Sequence, residues 1–186
     1  MKKRCFWVSE DPLYNAYHDT EWGVPVYDDD RLFEFLILET FQAGLSWITV
    51  LKKRENFREA FDHFDYKKIA VYPESKFESL LRNEGIIRNK LKIRATISNA
   101  QAFMRIQEIF GTFSNYIWGF TDGKPIVNAF HKKEEVPATT AVSDIISKDL
   151  KKRGFKFVGS TVIYAYMQAV GIVNDHTTDC FRYKEV

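Results

Sequence analysis

Two cysteines and four histidines occur in these 186 residues, and four of the six stand in two pairs at opposite ends of the chain. Cys5 precedes His18 by thirteen residues, and His176 precedes Cys180 by four. Thiolate and imidazole suit zinc, and Cys2His2 is a closed ligand set of the structural kind, one that would staple the two terminal segments together. His63 and His131 have no cysteine nearby. The same spacing fits cysteines buried as small hydrophobes and histidines satisfied by protein groups, and both readings stand at this point.

A second candidate is Glu39, in FLILETFQAGLSW, a carboxylate among Phe35, Leu36, Leu38 and Phe41 on an otherwise apolar helix face. Burying an unpaired charge is expensive. The group therefore calls for an ion-pair partner from the many Lys and Arg residues, or for a ligand. Aromatic residues gather on both sides of it: Phe6, Trp7, Tyr14, Tyr17 and Trp22 before, Trp47 after. A carboxylate at the bottom of an aromatic pocket suits a flat cationic or hydrogen-bonding ligand, with stacking and cation–π attraction added. A nucleobase turned out of a duplex is one such ligand.

The third pattern is AVSDIISKDLKKR, then GFKFVG, then STVIYAYMQAVG, which reads as two helices joined by a tight connector, the second capped by Ser160 or Thr161 and ended by Gly171. A glycine before a helix start leaves bare amide groups at the positive end of a dipole, a ready anion site. Gly159, Ser160 and Thr161 fit it, with Lys156 and the run Lys151–Arg153 alongside. The unit is that of a helix-hairpin-helix gripping a DNA phosphate, or else an ordinary helical hairpin anchored by Phe155 and Phe157.

The elements that must position these residues are helical. DDDRLFEFLILETFQAGLSWITVLKKRENFREAF has acidic residues for a first turn and apolar residues at helical spacing, with Gly44 breaking it into two helices. Helices are predicted at about 66–72, 75–83 and 89–110, the last with an apolar stripe through Leu91, Ile93, Ile97, Ala100, Phe103, Met104 and Ile109, stopped by Gly111. TDGKPIVNAFHKKEEVPATT is irregular, with a D-G turn signal and two prolines, and reads as an exposed connection. Strand-like alternation is scarce, so the fold class is all-α. With 45% hydrophobic residues the chain suffices for one domain, 1–186, possibly of two lobes. No run approaches the roughly 18 apolar residues of a membrane helix, and MKKRCFW is no signal segment. A cytoplasmic protein is expected, where paired cysteines bind metal or stay inert rather than form a disulfide. A net charge of +2 neither demands nor excludes nucleic acid.

Taken together, RCFWVSEDPLYNAYHDTEWGVP, LETFQAGLSWITVLKKRENFREAF, GIIRNKLKI and LKKRGFKFVGSTVIYAYMQAVGIVNDH closely resemble the 3-methyladenine DNA glycosylase I family of bacterial alkylation-repair enzymes, over nearly the whole chain. The resemblance implies a helix-hairpin-helix glycosylase fold, with the hairpin unit at about 141–171 and a zinc clasp formed from 5–18 and 176–180. It makes Cys5, His18, His176 and Cys180 the ligands of one structural zinc. It makes Glu39 the pocket carboxylate that meets the edge of 3-methyladenine, Trp47 the stacking partner, and Trp7, Tyr14, Tyr17 and Trp22 the rest of the wall. Gly44 and Leu45 match the wedge entering the duplex.

The implied activity is hydrolysis of the N-glycosidic bond of 3-methyladenine in double-stranded alkylated DNA by base flipping, giving free 3-methyladenine and an abasic site. No lyase lysine stands at the hairpin, where Thr161 lies instead, so the enzyme is expected to be monofunctional, and monomeric. Asp175 and Asp179 are expected at the surface or behind the metal ligands, with support of the sugar cation by either one as the alternative. A non-catalytic binder of damaged DNA and a zinc-stabilised helical interaction domain are the competing classes.

Overall fold

The computed structural model describes residues 2–186, and among them ten α-helices carry the architecture. They are α1 (Pro12–Thr20), α2 (Asp29–Gln42), α3 (Trp47–Lys52), α4 (Arg54–Ala60), α5 (Tyr66–Ile69), α6 (Glu74–Arg82), α7 (Lys90–Phe110), α8 (Phe113–Trp118), α9 (Ala141–Lys152) and α10 (Ser160–Ala169). The fold is all-α. The strands, β1 (Ile126–Val127) and β2 (Val173–Asn174), are two residues each and pair in parallel.

Helix α2 is the axis of the core. Leu32, Phe33 and every residue from Phe35 to Phe41 are buried, so it is covered on all sides rather than along one stripe. Asp28 caps it by accepting from the Arg31 amide at 3.0 Å. Asp29 in its first turn accepts from Phe113 N and Ser114 N, both at 2.8 Å, and so caps α8 as well. Phe33, Tyr66, Phe103 and Phe113 form a connected aromatic stack with ring centroids 4.2–5.6 Å apart. Each such ring contributes about 1.5–3 kcal/mol of burial.

The long helix α7 begins at its cap Asn89, which accepts from Lys92 N at 3.1 Å, and stops at Gly111, as its sequence predicts. The apolar stripe is narrower than predicted. Leu91 is 70% and Ile109 66% exposed, whereas Ile93, Ala100, Phe103 and Ile106 are buried. Both exceptions lie in the terminal turns of α7, whose buried face there is carried by Lys92 and Ile106.

The segment 121–140 is less free than its composition suggests. Ile126 N donates to Ile172 O at 2.9 Å and Asn128 N to Asn174 O at 3.1 Å, tying it to the chain after α10. At that junction Gly171 has φ +72°, and a Cβ there would lie 2.4 Å from Pro25 N. Only glycine allows the 22–26 loop to sit so close, and Gly23 N and Val26 N donate to Gln168 O and Val170 O. The two terminal segments meet in this way.

Candidate functional site

Helix α1 starts on a proline, with Asp11 accepting from Leu13 N at 3.0 Å. Tyr14, Tyr17 and His18 then fall at i, i+3 and i+4, one face of the helix. Tyr14 and Tyr17 look into a cavity of about 310 Å³, and His18 passes behind its wall. Phe6, Trp7, Trp22, Glu39 and Trp47 line the same cavity, so residues from three stretches of sequence meet as predicted. Trp7 packs on Tyr14 (4.9 Å between centroids) and edge-on to Trp22 (5.0 Å), and Tyr17 lies 5.4 Å from Trp47.

Glu39 is 3% exposed and has no ion-pair partner among the described residues. Its Oε2 has no hydrogen-bond partner, nor do Trp7 Nε1 and Trp47 Nε1 in the same walls. Trp118, buried elsewhere, gives its Nε1–H to Val26 O at 2.8 Å. Buried polar groups are normally paired, so three orphans around one cavity mark a place for a ligand. Desolvation pushes the Glu39 carboxyl up to about 8. Burial holds the Tyr17 hydroxyl well above its usual range, with Glu39 adding to the effect.

Several lining groups were not singled out from sequence: Gln42, Tyr164, Gln168 and the 136–138 stretch of the connection; Asp175 lines the cavity with them. Asp175 departs from expectation. It is 2% exposed, accepts from Tyr164 OH (2.6 Å), Gln168 Nε2 (2.8 Å) and Asn128 Nδ2 (2.7 Å), and makes no hydrogen bond to the histidines. The strand that follows α10 turns its side chain into the cavity. Asp179 is exposed and paired with Lys3.

Cys5, His18, His176 and Cys180 are all buried, and their ligand atoms lie within 4.8 Å of one another. Cys5 Sγ and Cys180 Sγ are 3.4 and 3.5 Å from His176 Nδ1, and Cys180 Sγ is 3.4 Å from His18 Nε2. The outer nitrogens are occupied: His18 Nδ1 lies 2.8 Å from Asp19 Oδ1, and His176 Nε2 lies 3.0 Å from Trp22 O. Arg4 in turn donates to Asp19 at 2.7 and 2.8 Å. Holding the outer nitrogen fixes the ring and leaves the inner one for a cation. The four groups can hold a metal ion. Asp19, one residue after a ligand, is the support that the sequence reading missed.

On the outer surface Gly44 has φ +82° in the turn after α2, and Leu45 beside it is 43% exposed. In the connector between α9 and α10, Phe155 is buried and Phe157 is partly exposed with φ +58°. The cap of α10 is Gly159 rather than Ser160 or Thr161, and no side chain caps it. The Ser160 hydroxyl is engaged with Asp144 (2.5 Å) and Ser143 (2.8 Å), so backbone amides are what this end offers. Thr161 lies on the cavity rim, Lys156 is exposed, and Arg153 is paired with Asp149 at 2.6 Å.

Fold and cavity together define a helical protein with an aromatic-walled cavity around three unpaired hydrogen-bonding groups. A family model described as methyladenine glycosylase matches residues 7–183. Over 181 residues the chain is 51% identical to DNA-3-methyladenine glycosylase 1 of Escherichia coli K12, with 97% of each covered. A crystal structure of 3-methyladenine DNA glycosylase I superposes with a TM-score of 0.94 at 54% identity, covering 96% of this chain and 98% of that one. A structure described as the basis of 3-methyladenine recognition by the Staphylococcus aureus enzyme superposes with 0.93 at 35% identity, covering 96% and 95%. The chain belongs to the methyladenine glycosylase family. It is an enzyme, a glycosylase of the hydrolase class.

Proposed function

We propose that this enzyme removes 3-methyladenine from alkylated double-stranded DNA by hydrolysing the N-glycosidic bond, acting as a monomeric, monofunctional glycosylase on a base flipped out of the helix. The observation that carries the reading is the orphaned Glu39 Oε2 with two orphaned indole N–H groups in one aromatic cavity. The proteins it resembles are named for the same base.

The chemistry follows from the substrate. Methylation at N3 leaves the base cationic while it is attached to the sugar, which weakens the glycosidic bond and makes the base a good leaving group. Little acid catalysis is needed. The protein must select the cationic base and hold it outside the stack, where flipping costs a few kcal/mol. Ionised Glu39 accepts from the edge of the base and favours its charge, and Trp47 stacks on its face. Trp7, Tyr14, Tyr17 and Trp22 complete the wall. Water attacks the sugar carbon and gives up a proton to solvent as the bond's electron pair leaves with the base, giving an abasic site and free 3-methyladenine.

Leu45 on the Gly44 turn is the wedge filling the gap left in the duplex. Lys156 and the amides of Gly159, Ser160 and Thr161 hold a phosphate, positioning without specifying sequence. Cys5, His18, His176 and Cys180 hold a structural zinc, which would supply cross-linking rather than chemistry.

Glu39→Gln tests the reading. Loss of base release from methylated DNA, with duplex binding retained, is expected, and release equal to wild type would remove Glu39 from the mechanism.

A further inference from the structure

Helix α7 buries three polar side chains on one stripe, Lys92, Thr96 and Asn99, at 6%, 0% and 0% exposure. Their spacing, i, i+4 and i+7, puts them on one face. The Thr96 hydroxyl only turns back to Lys92 O at 2.9 Å. The other two reach out of the helix in different directions along its length. Lys92 Nζ donates to Phe41 O at 2.9 Å and to Ala43 O at 2.6 Å, the carbonyls that end α2 immediately before Gly44 and Leu45. Asn99 makes a two-point clasp on the α9–α10 connector: its Oδ1 accepts from Lys156 N at 2.8 Å, and its Nδ2 donates to Lys156 O at 3.1 Å.

Neither arrangement is cheap. The Lys92 ammonium has no carboxylate partner among the described residues, and burial holds its pKa below the usual lysine range. A helix C-terminus favours a cation, so the charge is best compensated at the end of α2. Asn99 holds both backbone groups of one residue, next to Phe157 in its left-handed conformation. Each side chain therefore fixes a short irregular segment that lacks regular hydrogen bonding of its own.

We propose that Lys92 and Asn99 are positioning residues that set the separation between the Leu45 turn and the Lys156 connector, with α7 as the rigid spacer, so that both segments engage one duplex at once. Seven residues of helix give a rise of about 10.5 Å. Two linked contacts add their affinities only when their spacing matches the target. The inference rests on the reading that these two segments grip DNA. It adds that α7, which lines neither the cavity nor the metal site, decides how well they do so together.

The test is steady-state base release from methylated duplex by full-length Lys92→Met and Asn99→Ala proteins, with Leu45→Ala as a control for the grip. Each α7 variant is expected to raise KM about tenfold, which is about 1.4 kcal/mol. kcat and the affinity for free 3-methyladenine, read from tryptophan fluorescence, should stay within about twofold. Should Asn99→Ala fail to fold, Asn99→Leu keeps the side-chain volume and loses both hydrogen bonds to Lys156, and the same KM rise is expected. An unchanged KM in the α7 variants, with KM raised in Leu45→Ala, overturns the positioning claim and leaves the grip intact. An unchanged KM in all three removes the grip reading and the inference with it. A fall in kcat and free-base affinity alongside the KM rise also overturns it, because general loosening of the fold would do that.

Discussion

Glu39 makes the binding of a cationic base depend on pH with a defined sign. Burial holds its carboxyl up near 8, so the protonated form prevails at neutral pH. A base of fixed positive charge requires the ionised form, and below pH 8 the proton must first leave. Each unit below that value costs about 1.36 kcal/mol, so at pH 6 binding is weaker by about 2.7 kcal/mol, or roughly a hundredfold, than at its plateau. Tyr14 and Tyr17 are the acidic neighbours, both raised by burial first and by Glu39 second, so neither adds a titration in this window. A suitable probe is 3,9-dimethyladeninium, whose charge does not titrate. Quenching of the lining tryptophans should show affinity rising about tenfold per unit from pH 6 to 8 and levelling above, while Glu39→Gln shows a flat profile. A flat wild-type profile, or affinity that falls as pH rises, would refute the assignment.

The same shift affects stability in the opposite direction. A carboxyl raised from 4.5 to about 8 on folding favours the folded state fully below 4.5, and that contribution is lost as pH rises to 8. Glu39→Gln should therefore raise the unfolding free energy of the ligand-free protein, by on the order of a few kcal/mol at pH 8 and little at pH 4.5, read by chemical denaturation; a deficit at pH 8 would show that Glu39 has a partner. Elemental analysis should find about one zinc per chain, and Cys180→Ser should lose it; a fully folded metal-free protein would end the zinc assignment. Leu45→Ala should weaken binding to abasic duplex more than to single strands, and the reverse order would argue against a wedge. Gly171→Ala should cost more than about 3 kcal/mol in chemical denaturation, because its Cβ meets backbone rather than a side chain that can yield. A loss under 1 kcal/mol would mean the 22–26 loop moves freely.

Much of the site was legible because its residues are chemically conspicuous. Glu39 stands alone in an apolar helix, and the cysteine–histidine pairs have no competitors in the chain. The helix limits followed from Gly44, Gly111 and the acidic start of α2. What escaped lay in tertiary placement. Asp175, next to His176 in sequence, read as a surface group or a support behind the metal ligands, and only the parallel pairing of β1 with β2 brings Asn128 to it. The 136–138 stretch looked like exposed linker and lines the cavity, because backbone pairing to the chain after α10 carries it there. Lys92 and Asn99 lie at helical spacing in the sequence, but only the packing of α7 shows that both are buried.

The group of Cys5, His18, His176 and Cys180 shares a wall with the aromatic cavity. The Trp22 ring stands edge-on to His176 at 4.6 Å, and its carbonyl oxygen lies 3.0 Å from His176 Nε2. Trp7 lies 5.3 Å from His18, which follows Tyr17 in α1. A clip joining residues 5 and 180 would gain most from closing a long loop if nothing else closed it. Here Gly171 against Pro25, and Phe181 N on Lys3 O at 2.9 Å, already bring the ends together. Less of the closing entropy is then left for the clasp to offset, and more of its effect falls on rigidity. A metal held by His18 and His176 would fix the rings of Trp7 and Trp22 and the start of Tyr17. The cavity needs those walls held before the ligand arrives, because stacking on mobile rings would spend binding energy on ordering them.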